Sequence, residues 1–137
     1  MTDDELLEQF EKCTLPNSAF HHEDHVRVAF LYLSKYTVLD ALGRFSTSLA
    51  AFAAANGGPL LYNETITWAF VLLIRERMAR SGRLQAWSEF AADNPDLLSW
   101  KENILKKYYH EETLSSQLAK CTFLLPDKLM ACREETG

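Results

Sequence analysis

Asn63-Glu64-Thr65-Ile66-Thr67-Trp68-Ala69-Phe70-Val71-Leu72-Leu73-Ile74-Arg75-Glu76-Arg77-Met78-Ala79-Arg80-Ser81-Gly82 is the segment on which the fold class turns. From Ile66 to Ile74 it is apolar on almost every side, with none of the alternation of a half-buried strand. It runs out at Gly82, a natural residue for the end of a helix. A helix apolar all round belongs at the centre of a bundle, covered by other helices. The pattern predicts a helix from about 63 to 81 as the most buried member of an all-α fold.

The flanking sequence supplies the partners. Thr2 and Glu5 have capping-box spacing, and Leu6, Leu7 and Phe10 follow at helical intervals, so a first helix is expected to about Cys13. Leu15-Pro16-Asn17-Ser18 breaks it. A second helix begins between Ser18 and Glu23 and reaches about Lys35, with Val26, Ala29, Phe30 and Leu33 as its apolar stripe. A third opens at Thr37, buries Leu42, Phe45, Leu49 and Phe52, and stops at Asn56-Gly57-Gly58-Pro59. A short fifth helix is expected over about 84–92. Asn94-Pro95 reads as a cap and a proline at the first turn of a sixth helix, running to about Tyr109. One further turn is expected around 115–120. The sum is an up-and-down bundle of about five to six helices, one domain over residues 1–137.

Composition narrows the function classes. The net charge is −5, with 14 Lys and Arg against 19 Asp and Glu, so a nucleic acid is a poor default partner. The run Arg75, Arg77, Arg80, Arg83 reads as cations at a helix C-terminal end, on a solvated face. Cys13, Cys121 and Cys132 are odd in number and widely spaced, which argues against a disulfide framework and a zinc knuckle. The acidic start, Met1-Thr2-Asp3-Asp4-Glu5, has no apolar run, and the longest such run, Ala69 to Ile74, is too short to span a bilayer. The expectation is a cytoplasmic, reduced protein without a membrane partner. Asn63-Glu64-Thr65 matches a glycosylation sequon, which carries no weight without secretion.

Three of the four histidines fall in His21-His22-Glu23-Asp24-His25. Residues three or four apart share a helix face, so His22 with His25, or His21 with His25, can aim two imidazoles at one point. Bundle interiors are where helical proteins build metal sites. Glu64 is the only carboxylate between Asp40 and Glu76 and heads the buried helix. His22, His25 and Glu64, with His21 in reserve, form a candidate two-histidine, one-carboxylate site for a divalent Zn, Fe or Mn ion. The plainer reading is that the histidines open a helix and that Glu64 suits a helix N-terminus by its charge. Asp24 and Tyr62 are candidates for supporting a ligand or moving a proton, and Thr65, Thr67 and Trp68 for lining the space. His110 reads as a surface residue at a helix end. The zincin pattern His-Glu-x-x-His is absent, and so is any His-Asp dipeptide.

Phe20-His21-His22-Glu23-Asp24-His25-Val26, Tyr62-Asn63-Glu64-Thr65-Ile66-Thr67 and Leu125-Pro126-Asp127 together resemble a family of small, uncharacterised bacterial all-helical proteins. The resemblance runs over most of the chain. Its Phe-x-His-x-x-His segment maps onto Phe20, His22 and His25. Its second segment is often Tyr-His-Glu-Thr, from which this chain departs at Asn63. If the family site uses three histidines, this chain has lost one and would rely on Glu64, His21 or Asn63 itself. Asn is a weak donor for zinc or iron.

Two functions follow as expectations. One is a small metal-dependent enzyme acting on a small-molecule substrate. The other is a non-catalytic binding or assembly module whose aromatic bundle holds a hydrophobic ligand or a partner protein. A histidine pH switch and homodimerisation through an apolar face are compatible with either.

Overall fold

Thr2 opens the first helix as its spacing predicts: its hydroxyl accepts from the Glu5 N–H at 3.2 Å, and Glu5 accepts from the Thr2 N–H at 2.8 Å. The computed structural model describes residues 1–16, 18, 20–58 and 61–128. Among them are seven α-helices: α1 (Asp3–Glu11), α2 (His22–Lys35), α3 (Val38–Ala55), α4 (Glu64–Ser81), α5 (Trp87–Asp93), α6 (Glu111–Leu114) and α7 (Gln117–Cys121). Two 3₁₀ turns, Pro95–Leu97 and Ile104–Lys107, lie between α5 and α6. No strand occurs among the described residues. None of the described helices is long and apolar enough to cross a membrane.

Each boundary has a local cause. α1 stops two residues short of Cys13, which sits in the left-handed region at φ 59°. α3 ends in a Schellman motif: Gly57 takes φ 75°, its N–H reaches the Ala54 carbonyl at 3.2 Å, and the Gly58 N–H reaches the Ala53 carbonyl at 2.8 Å. α4 ends at Gly82, also left-handed at φ 71°.

The helix predicted from 95 to 109 does not form as one piece. Asn103 is extended (ψ 149°), its side chain accepting from the Leu105 N–H and donating to the Trp100 carbonyl, both at 3.1 Å. Ser99 takes the Glu102 N–H at 3.3 Å. Short polar side chains thus capture backbone groups that a helix would pair with itself. Leu97, Ile104 and Leu105 are buried all the same. The expected turn near 115–120 is likewise two short helices, divided at Ser115 and Ser116, the latter capping α7 by accepting from the Ala119 N–H at 3.1 Å.

α2, α3 and α4 pack mutually and share one hydrophobic core, with α1 against α2 and α3, α5 against α2, and the 3₁₀ turn Ile104–Lys107 and α7 against α4. The N-terminal halves of α2 and α4 and the C-terminal half of α3 face the same cavity, as an up–down–up order requires. The arginine run does more than decorate a helix end. Arg77 makes a two-pronged pair with Asp96 at 3.0 and 2.7 Å, and Arg83 lies 3.2 Å from Glu89, tying the end of α4 to the α5 segment. Cys13 and Cys121 are free thiols, and Cys132 lies outside the described residues.

The C-terminal segment is clamped to the head of α4 by polar groups. The fully buried Thr65 hydroxyl donates to the Thr122 carbonyl at 2.8 Å and accepts from the Leu124 N–H at 3.1 Å. The Tyr109 hydroxyl donates to the Leu124 carbonyl at 2.7 Å, and Phe123 stacks on Trp68 at 5.3 Å. Asp127 accepts from the His110 N–H at 2.9 Å and from the Thr113 hydroxyl, which hold its carboxyl below the usual range. Replacing Thr65 with Val keeps the shape but strands two backbone groups, an expected cost of about 1–3 kcal/mol. Urea unfolding measures it; a loss under about 0.5 kcal/mol would show that the clamp is idle.

Candidate ligand-binding cavity

Asn63 caps α4, its amide oxygen accepting from the Ile66 N–H at 2.9 Å. Its amide nitrogen donates to the Leu114 carbonyl at 2.7 Å, so both ends of the side chain are committed to backbone. Thr67 donates to the Asn63 carbonyl at 2.8 Å, which tightens the same turn. These residues, with Tyr62, Ile66 and Phe70, form one wall of a cavity of 770 Å³.

α2 supplies the facing wall. Asp24 accepts from the His21 N–H at 3.0 Å, a reciprocal cap that starts the helix after an extended His21. From that start, His22, His25, Val26 and Ala29 fall on the cavity side. Phe45, Leu49 and Phe52 of α3 and Phe20 of the preceding loop complete the apolar lining.

The cavity is partly open to solvent, and its volume falls in the range of small-molecule sites.

The two histidines on its wall differ. The His22 Nε2–H donates to the Leu97 carbonyl at 3.0 Å, and the ring packs on Phe70 at 4.8 Å and Trp100 at 5.2 Å. Burial lowers its pKa, and the Leu97 carbonyl opposes that in part. His25 packs its ring 4.2 Å from Phe20 and has no hydrogen-bond partner among the described residues. Burial, with smaller help from His22, lowers its pKa to about 4, so it is neutral at physiological pH. A neutral imidazole offers one donor and one acceptor.

The structure brings together only part of the expected metal set. His22 and His25 share the wall, with ring centroids 6.5 Å apart. Glu64 does not line the cavity; its carboxylate accepts from the Tyr62 hydroxyl, a residue away along the chain from the lining Asn63. His21 is exposed, its side chain 75% accessible beside Asp24. Asp24 itself serves the helix start and is not on the cavity wall. Among the described residues no three His, Cys, Asp or Glu converge as a ligand set. The physical reason is a competing contact: the Glu64 carboxylate is taken up by the Tyr62 hydroxyl. Tyr62 does line the cavity, and burial and Glu64 push its phenol pKa up, which keeps it protonated. His110 is exposed at the start of α6, as its flanking residues suggest.

Sequence reasoning missed Phe20, Phe45, Phe52 and Phe70 as site residues because an inward Phe on a helix stripe signals core, and here it is both. It also missed Trp100 and Lys101, whose loop was expected to be helix. Comparison with protein-family models, curated proteins and solved structures finds no match to this chain.

Proposed function

We propose that this chain is a binding protein for a small, mainly apolar molecule. One observation carries the reading: an unpartnered, neutral His25 imidazole inside a 770 Å³ aromatic cavity. The apolar walls supply affinity in proportion to the area they bury, about 25 cal/mol per Å². His25 supplies direction: its ring has no hydrogen-bond partner among the described residues, so it is free to pair with a ligand hydroxyl or carbonyl. The Tyr62 hydroxyl is already engaged by Glu64, and Asn63 by backbone, which leaves His25 as the principal polar contact in the interior.

The test uses the apolar dye N-phenyl-1-naphthylamine, which brightens when removed from water. The native chain is expected to bind it saturably. Ala53→Trp and Ile66→Trp each fill the space from a different wall. Each variant should weaken binding at least tenfold while circular dichroism and the melting temperature stay close to those of the parent. Equal binding by parent and both variants would place the dye elsewhere and remove the reading.

A second reading is favoured by His22. An imidazole whose outer N–H is held by a backbone carbonyl has the arrangement that orients a metal ligand. With Glu64 turned away, His22 and His25 would be the protein's two contributions, short of the three protein ligands of catalytic zinc sites. Stoichiometric uptake of Zn, Fe or Mn, lost in a His22→Ala, His25→Ala chain, would establish this reading; uptake indifferent to both changes would dismiss it.

A further inference from the structure

The cavity lining carries charge as well as apolar surface. Lys101, Lys106 and Lys120 all belong to it, against a single carboxylate, Glu111. In a chain of net charge −5, an ammonium excess in one lining runs against the average. Lys106 is occupied: it donates to the Lys101 carbonyl at 2.9 Å and lies 3.6 Å from Glu102. Neither Lys101 nor Lys120 forms an ion pair among the described residues, where other Lys and Arg side chains make eight. Lys120 is half-buried in the last turn of the five-residue α7, and Lys101 stands in a turn beside Trp100.

We propose, building on the binding reading above, that the ligand is an amphipathic anion: an apolar acyl or fused-ring body among Phe20, Phe45, Phe52 and Phe70, with one anionic head group at Lys101 and Lys120. The layout matches such a molecule end to end. The phenyl rings exclude water from its body, His25 takes a polar atom partway along, and the head pairs with the lysines, since a charge left unpaired in the lining would be costly.

The test displaces N-phenyl-1-naphthylamine from the intact chain with three probes of one chain length: dodecanoate, 1-dodecanol and dodecylamine. Dodecanoate should displace the dye at about tenfold lower concentration than dodecylamine, with dodecanol between, since two exposed charge pairs contribute modestly. The preference should shrink as sodium chloride rises from about 0.02 to about 0.5 M, where screening shortens to a few ångströms. K101M with K120M, which keeps both stems and removes both charges, should abolish the preference and leave dodecanol unchanged. If dodecanoate and dodecylamine compete equally, or the double variant keeps the preference, the anion assignment is wrong while the apolar cavity stands. If the native chain fails to bind the dye, or Ala53→Trp binds it equally, both assignments fall together.

Discussion

Phe10→Ala is expected to destabilise the fold by about 3–5 kcal/mol, the range for deleting a fully buried Phe side chain. Phe10 is 0% exposed, and its ring meets Phe20 at 5.2 Å, Phe45 at 5.9 Å, Phe52 at 6.0 Å and Tyr32 at 6.5 Å. Those four rings come from the loop before α2, from α2 itself and from α3, so one side chain joins α1 to three parts of the core. Little around it can collapse into the gap, because the neighbours are rigid aromatics held on separate helices. The loss is a fifth or more of the roughly 5–15 kcal/mol that a domain of this kind has to spare. Phe20, Phe45 and Phe52 also line the cavity, so the same change should loosen its back wall and weaken dye binding. Urea unfolding of the variant is the measurement, and Phe10→Leu, which refills most of the volume, should recover most of the loss. A cost under about 1 kcal/mol would mean that α1 is not part of the core.

The second large effect is on pH. His25 has a pKa of about 4 in the fold against an ordinary 6.5, because burial disfavours its charged form. The sign follows from which state takes up the proton. Above pH 6.5 the imidazole is neutral in both states and the fold keeps its full stability. As pH falls below 6.5, the unfolded chain binds a proton that the folded chain refuses, so stability drops until about pH 4. By pH 5 the loss from this group reaches about 2 kcal/mol. His22 adds in the same direction, its pKa also being lowered by burial. Carboxylates contribute little over this span, since their ordinary values lie lower. Urea midpoints at pH 7.5 and pH 5 should therefore separate strongly for the native chain and by about 2 kcal/mol less for His25→Gln. Equal pH dependence in the two chains would show that His25 is not buried as described.

Much of this architecture can be read from the residues. The core helix is legible from the apolar run Trp68 to Ile74 and from the end signals Asn63 and Gly82. It is not covered all round, however: Leu72 is exposed, and α2 buries more of its residues. The α2 and α3 stripes are legible too: Val26, Ala29, Phe30 and Leu33, and Leu42, Phe45 and Phe52, are all buried. The region 95–109 misleads, since Pro95 announces a helix start but Ser99 and Asn103 then bond locally and the chain turns instead. Periodicity does not register that competition.

The site is legible only in part. Of the three histidines in five residues, His22 and His25 line the cavity and His21 does not. Glu64 stands out in the sequence as the only carboxylate between Asp40 and Glu76, but it does not line the cavity. Its carboxylate accepts from the Tyr62 hydroxyl, while Asn63 caps α4 and holds the Leu114 carbonyl. The volume of a cavity is not encoded locally at all: it is what α2, α3, α4 and the 100–120 segment leave between them. The lysines in its lining come from a turn (Lys101), a 3₁₀ segment (Lys106) and α7 (Lys120), which only the fold assembles.

The cavity itself is tested most directly by titrating ¹⁵N-labelled chain with N-phenyl-1-naphthylamine and mapping the chemical-shift changes. Saturable one-to-one changes should centre on Phe20, the His25 ring, Asn63, Ile66 and Phe70, and leave Glu76, Arg80 and Glu89 on the outer face of α4 and on α5 unmoved. Changes that never saturate, or that gather on that outer face instead, would contradict a ligand site inside the bundle.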